Sequence, residues 1–312
     1  MATNKRETVS VSFHYLTRAI PVKGKPPTFA PFSEVEFENL CAAIHAKPVV
    51  DIEKATFSDL IHYRLEAPME RPSRLNKRTL FGVYQAAYTG HSYKNSARGK
   101  IPADSISLRP FHYLIYLSDK GRIYVASQYL GQFGGYSALE RTLRNMLNSP
   151  ETILPHSFRV SGSYYKNAKP TEVRVSFSNS ATSSIGKPTL GSNGMVAFRP
   201  IGKEDGFEAQ VKNRILPYIG RPSSEIKSAL AAILNESDLM AVSDADIEDC
   251  TVLATVNGRK NTTIYMLENG SFATKFPLDI EVNADGHPEY DLCRDQMLEI
   301  LGDEIISRAE ID

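Results

Sequence analysis

Phe111-His112-Tyr113-Leu114-Ile115-Tyr116-Leu117-Ser118-Asp119-Lys120-Gly121-Arg122-Ile123-Tyr124-Val125-Ala126-Ser127 is the stretch that decides the fold. Phe111–Leu117 and Arg122–Ser127 are rich in β-branched and aromatic residues. They flank a short turn that carries a glycine, and this combination predicts a β-hairpin. Upstream, Leu80–Tyr88 reads as another strand, and residues 8–16 alternate apolar and polar like a half-buried strand. Pro21, Pro26, Pro27 and Pro31 between them read as a connection, because proline suits neither a helix interior nor a central strand.

Ser33 and Glu36 form an S-x-x-E capping box, and Phe37, Leu40, Cys41 and Ile44 follow at helical spacing. This predicts a helix over Glu34–Ala46, stopped by Pro48. After Gly131, Gly134 and Gly135, Ser137 and Glu140 read as a second box. The helix it opens has Leu139, Leu143, Met146 and Leu147 on one face, Arg141 and Arg144 on the other, and Pro150 at its close.

Further on, Phe158–Val160, Val173–Phe177 and Met195–Phe198 read as strands, with a long polar loop over Ser178–Gly194. Helical patterns cover 207–216 and 223–235, the second lined by Ile226, Leu230, Ile233 and Leu234. Thr251–Val256, Thr262–Leu267 and Ala273–Ile280 read as an antiparallel set turned by Asn-Gly at 257–258 and 269–270. A last helix spans Tyr290–Ser307 with Leu292, Met297, Leu298, Leu301 and Ile305 inward. No βαβ rhythm runs through these elements, so the expected class is α+β, with mixed, mainly antiparallel sheets and packed helices. The 312 residues exceed the ~250 at which single cores stop growing. Two domains are expected, 1–150 with a basic surface segment and 151–312 with an acidic end.

The net charge of zero conceals a strong asymmetry. Residues 71–203 hold 19 Lys/Arg against 5 Asp/Glu, whereas 204–312 hold 9 against 22. A polyanion partner is implied for the middle of the chain, and a soluble, masking or partner-facing role for its end. The asymmetry is sharpest at 71–100, where Arg71, Arg74, Lys77, Arg78, Lys94, Arg98 and Lys100 have no acidic residue among them. Phe81, Tyr84, Tyr88, His91 and Tyr93 are interleaved. Cations neutralise phosphates and release counterions, and aromatic faces stack unpaired bases. A basic run is also the ordinary composition of a solvated face. Arg141, Arg144, Lys166 and Lys169 are secondary candidates, and Tyr164 and Tyr165 suit either base stacking or a core edge. Arg109 suits an internal ion pair equally well.

Asp244-Ala-Asp-Ile-Glu-Asp249 is the one place to consider a divalent cation, but its spacing matches no EF-hand, and a polar loop explains it as well. A metal-dependent nuclease using these carboxylates is the enzymatic alternative. No G-x-S-x-G, HExxH or Walker A sequence is present, and the seven histidines are scattered, so no catalytic residue, metal or cofactor is assigned. Cys41, Cys250 and Cys293 are odd in number and far apart, which suits buried thiols in a reducing cytoplasm rather than disulfides or structural zinc. No apolar run approaches the ~18 residues of a membrane helix, and none follows Lys5 and Arg6 as in a signal peptide.

His112–Ala126 resembles the central hairpin of bacterial phage-defence DNA-binding proteins of the RexA and Kiwa KwaB type. Thr262–Leu278 is similar to their late hairpin, again followed by a closing helix. The resemblance spans roughly residues 80–309 and transfers no individual functional residue. It implies sequence-nonspecific DNA binding by a cytoplasmic, dimeric sensor that works with a membrane-protein partner. A third reading is a non-enzymatic interaction module whose basic and acidic blocks pair across a homodimer.

Overall fold

The computed structural model describes residues 8–47, 49, 51–88, 92–96, 98–131, 133–149, 151–158, 165, 167–178, 193–202, 206–236, 242–256, 258–267 and 274–307. The fold is α+β, with a mainly antiparallel sheet. The chain divides at 156/157 and again at 277/278, so one unit contains Met1–His156 with Leu278–Asp312 and the other contains Ser157–Pro277. A single cut at 150/151 had been expected, but the closing helix returns to the first unit.

In the first unit, β1 (Val9–Val22) and β2 (Lys25–Ala30) precede α1 (Glu34–Ala46) and α2 (Phe57–Leu65). Then come β3 (Met69–Asn76), β4 (Thr79–Tyr88), β5 (Tyr93–Asn95), β6 (Gly99–Ile101), β7 (Ser107–Leu117) and β8 (Ile123–Leu130). α3 (Tyr136–Leu147) and β9 (Thr152–Ser157) follow. The sheet runs β1-β8-β7-β4-β3, and β2 and β9 also pair with β1. The second unit holds β10 (Lys169–Ser178), β11 (Asn193–Phe198), α4 (Phe207–Arg214), α5 (Ser223–Glu236), β12 (Ile247–Val256), β13 (Arg259–Tyr265) and β14 (Lys275–Leu278). Its strands lie in the order β11-β10-β12-β13-β14 over a core of Val173, Val175, Val252, Ile264 and Phe276. The chain then re-enters the first unit as α6 (Tyr290–Ile300), which continues as a π-helical turn over Leu301–Ile306. Among the described residues, no helix is long and apolar enough to cross a membrane.

The β7–β8 hairpin forms as its sequence predicts, from Tyr113↔Ser127 to Leu117↔Ile123. Directly opposed residues share a face of the sheet, so the registers define two rows. One is Gly82–Tyr113–Ser127–Ser12 and the other is Phe81–Leu114–Ala126–Phe13. All four residues of the second row are fully buried, and Tyr290 of α6 meets Phe81 edge-on at 4.9 Å. The first row faces α1–α3. There the Tyr84 hydroxyl bonds Ser127 Oγ at 2.7 Å and accepts the Gly135 N–H at 3.2 Å, tying β4 to β8 and to the start of α3. Two glycines permit this packing. A Cβ on Gly82 would sit 2.6–2.8 Å from the Tyr113 ring, and one on Gly135 would sit 2.4 Å from Ala86 Cβ.

α1 has the predicted bounds, the Ser33/Glu36 box is formed, and Phe37, Leu40, Cys41 and Ile44 are buried. Hydrogen bonds from Ser33 and Arg18 overcome the opposing effect of burial and hold the Glu36 carboxyl below its ordinary range. Four expectations need correction. The proline-rich stretch is the β1–β2 hairpin, with β2 paired to β1 in a position where Pro26 and Pro27 remove no needed ladder donor. The Ser137/Glu140 box does not form, because α3 starts at Tyr136 with Gly135 as its uncapped N-cap. The Tyr136 ring stacks on His14 at 3.5 Å, which leaves Ser137 inside the first turn. Leu292 is 49% exposed, since the inward stripe of α6 is Cys293, Met297 and Ile300, about 100° around the helix. The strand expected at Phe158–Val160 runs over Thr152–Ser157 instead, with residues 159 and 160 outside the described set. α2 and β3 had no counterpart in the sequence reading. The Ser178–Gly194 loop and both Asn-Gly pairs fall largely outside the described residues.

Candidate nucleic-acid interface

The basic segment from Arg71 to Lys100 is unfolded by this topology into three pieces: strand β3, the β3–β4 turn, and the β5–β6 hairpin inserted between β4 and β7. Several of its cations meet carboxylates brought in from distant sequence. Arg74 bonds Glu38 at 2.6 Å and the carbonyls of Asn76 and Lys77, with its guanidinium over the Phe37 ring at 5.1 Å. Arg78 binds Glu34 at 2.7 Å and also Asp119. These hydrogen bonds raise its pKa further. Arg98 lies 3.6 Å from Glu53, both side chains about three-quarters exposed, a pair of little strength in water. Among the described residues, the counter-charges of this segment therefore come chiefly from residues 34–53 rather than from the acidic carboxyl-terminal block.

Lys77, Lys94 and Lys100 are exposed, and among the described residues no carboxylate lies within ion-pair distance of them. Lys94 and Lys100 are direct register partners in β5–β6. In a two-stranded ribbon such partners project to one side with their Cβ atoms about 5 Å apart, and like charges so placed repel. Tyr93 lends its backbone to β5, and its side chain lies outside the described set. At the tip of this hairpin Arg98 reaches Glu53, four residues before α2 begins. Nearer its base Arg64 of α2 donates to the Asp104 carbonyl at 3.1 Å. α2 thus runs alongside the hairpin.

Aromatic rings flank both ends of this insertion. Phe57, first residue of α2, is 78% exposed, and Ile61 and Leu65 continue its stripe at four-residue spacing. At the base, Tyr88 meets Phe133 edge-on at 6.1 Å, and Arg109 lies over the Phe133 ring at 4.6 Å. Arg109, for which an internal ion pair was one of two readings, forms cation–π contacts with Phe133 and Tyr88. Phe57 and Phe133 were not singled out by sequence reasoning. Thr56-Phe-Ser-Asp59 is a capping box that marks α2, and it was the available signal for the first.

Arg71 sits apart. Its φ of 46° places a non-glycine residue in the left-handed region at the β3 bulge. Tyr290 holds it there, donating its hydroxyl to the Arg71 carbonyl at 3.0 Å and lying under the guanidinium at 4.4 Å. Phe81 and His112 complete this aromatic group, and burial lowers His112 to about 4. Arg141 donates to the Leu65 carbonyl at 2.9 Å, and Arg144 pairs with Glu140 at 2.8 Å. Lys169 begins β10 in the second unit and is exposed. Tyr165 is buried as a core residue, while Tyr164 and Lys166 lie outside the described set. The structure therefore brings together Lys94, Arg98 and Lys100, and ties Arg74, Arg78 and Arg144 into local ion pairs.

Elsewhere the geometry offers little chemistry. Asp246 is buried and closes a capping box on Ser243, and Asp244 accepts from Ser228 at 3.1 Å. Among the described residues no three His, Cys, Asp or Glu side chains converge. Burial pushes the free thiols of Cys41 and Cys250 up to about 11 and about 12, away from nucleophilic reactivity. A groove beside the β7–β8 turn, lined by Tyr116, Lys120, Arg122, Tyr124 and Ile306, encloses about 80 Å³, well short of the ~300 Å³ of a small-molecule pocket. No family model, curated protein or solved structure matches this chain.

Proposed function

We propose that the protein binds nucleic acid, DNA in preference to RNA, without reading its sequence, and that the β5–β6 hairpin of the first unit is the centre of the contact. The observation that carries this reading is the pairing of Lys94 with Lys100 across the ribbon. Two ammonium groups on one side of a small, solvated hairpin repel each other, and a bridging phosphate turns that repulsion into attraction. Arg98 lies at the tip, and its exposed pair with Glu53 is of the weak kind that exchanges for a phosphate. Phosphate contact by side chains on a ribbon too short to enter a groove gives affinity without base discrimination. Taken with the two hairpins similar to those of the RexA and KwaB type, this activity suits a cytoplasmic antiphage sensor acting as a homodimer.

Fluorescence anisotropy of labelled random-sequence DNA, as single strand and as duplex, titrated with the protein over a range of salt, tests the proposal. Binding should be measurable at low salt and fall steeply as salt rises, with a slope of about −0.9 per phosphate contacted. Absence of binding at low salt, or affinity indifferent to salt, refutes it.

A further inference from the structure

The surface around the hairpin is more than cationic. Phe57, Ile61 and Leu65 form an unpartnered apolar stripe on α2, with 78%, 41% and 51% of each side chain's residue exposed. An apolar helix face left in water suits a binding surface, and the charge beside it points to the occupant. The Arg98–Glu53 contact places the hairpin tip beside the segment that leads into α2, and the Arg64–Asp104 hydrogen bond places the other end of the helix near its base. Phe133, 47% exposed, stands at the base beside Tyr88. Asp51 is paired with Lys54 at 3.0 Å and Glu53 with Arg98, while the Asp59 carboxylate caps α2 through Thr56. Lys94, Lys100 and Arg64 lack a carboxylate partner among the described residues and outnumber the nearby carboxylates of Asp59 and Asp104, so this side of the first unit carries a small excess of positive charge next to exposed phenyl rings.

A duplex keeps its bases stacked inside and offers such rings nothing. A single strand offers a charged backbone and free base faces together, which is the pairing of cationic track and aromatic platform that unpaired nucleic acid recognises. We propose that this surface takes single-stranded nucleic acid, with the backbone on Lys94 and Lys100 and bases stacked on Phe57 and Phe133. The inference rests on the nucleic-acid reading above and sharpens its substrate class. α2, nine residues and about 13 Å long, offers room for about four stacked nucleotides at ~3.4 Å each.

The test compares a labelled single strand of about 15 nucleotides, within the ~4–16 of comparable sites, with the duplex of the same length at low salt. The full chain and its Phe57→Ala and Phe57→Leu variants are titrated. Phe57 is mostly solvent-exposed, so both variants should fold, and circular dichroism confirms it. Single strand should bind about tenfold tighter than duplex. Phe57→Ala and Phe57→Leu should each weaken single-strand binding by about tenfold, since leucine keeps bulk but loses the π face, and should change duplex binding less than twofold. Equal or tighter duplex binding, or unchanged single-strand affinity in both variants, overturns the inference while leaving nucleic-acid binding intact. Loss of dimer mass in Phe57→Ala with unchanged single-strand affinity overturns it in favour of a second copy of this chain on the stripe. Failure of both nucleic acids to bind overturns this inference and the reading beneath it.

Discussion

Replacing Lys94 by glutamate should make the β5–β6 hairpin more stable and the protein a poorer DNA binder. Lys94 and Lys100 face each other across the ribbon, about 5 Å apart for directly opposed side chains. In water two unit charges at that separation repel by at most ~0.8 kcal/mol, less as the flexible side chains splay, and reversing one turns this into an attraction, a swing of at most ~1.7 kcal/mol. A Debye length of ~8 Å at physiological salt reduces the swing to ~1 kcal/mol, at the top of the measured range for cross-strand pairs. The change is local, so it should appear as slower hydrogen exchange, by about threefold to fivefold, at the hairpin amides, with little change in the global urea midpoint. In the same variant log affinity for DNA should depend less steeply on log salt, by about one phosphate contact or more. A site selected for stability alone would show the first effect without the second. Faster exchange in the hairpin, or slower exchange with unaltered DNA binding, refutes the reasoning.

Other perturbations test the scaffold that presents this site. Tyr84→Phe leaves the buried Ser127 hydroxyl and the Gly135 N–H without their shared partner, and should lower stability by about 1–3 kcal/mol in urea unfolding. Arg71→Gly should be more stable than Arg71→Ala by about 0.5–1 kcal/mol, because both lose the cation–π contact with Tyr290 and keep the hydrogen bond to the backbone, but only alanine keeps the left-handed strain. Burial holds His14 at about 3 and His112 at about 4, below their unfolded value of ~6.5. The unfolded chain therefore binds the extra protons first, and stability is full above about pH 6.5 and falls as pH drops toward those folded values. Urea midpoints measured from pH 7 to 4 should show this loss, with a shallower slope in His14→Gln; an identical slope contradicts it.

The parts of the fold legible in sequence were those with local signals. The Ser33/Glu36 box and the Phe37-Leu40-Cys41-Ile44 stripe fixed α1 to the residue, and the glycine-bearing turn after Leu117 located the central hairpin. α2 escaped because only Tyr63 of its nine residues is buried, so its apolar residues trace an exposed stripe. β3 escaped because Pro72 and the bulge at Arg71 erase its alternation. The site was legible as composition but not as arrangement. Arg78 looked unpaired because Glu34 and Asp119 lie 44 and 41 residues away in sequence, and only the sheet brings them together. The opposition of Lys94 to Lys100 depends on a hairpin register that the polar residues between them do not specify.

The most direct measurement is a lysine-acetylation footprint, read by mass spectrometry with and without DNA at low salt. The account predicts protection of Lys94 and Lys100 on the hairpin, with unchanged labelling of Lys212, Lys227 and Lys260 in the second unit. Protection confined to the second unit, with Lys94 and Lys100 labelled equally in both conditions, would contradict it.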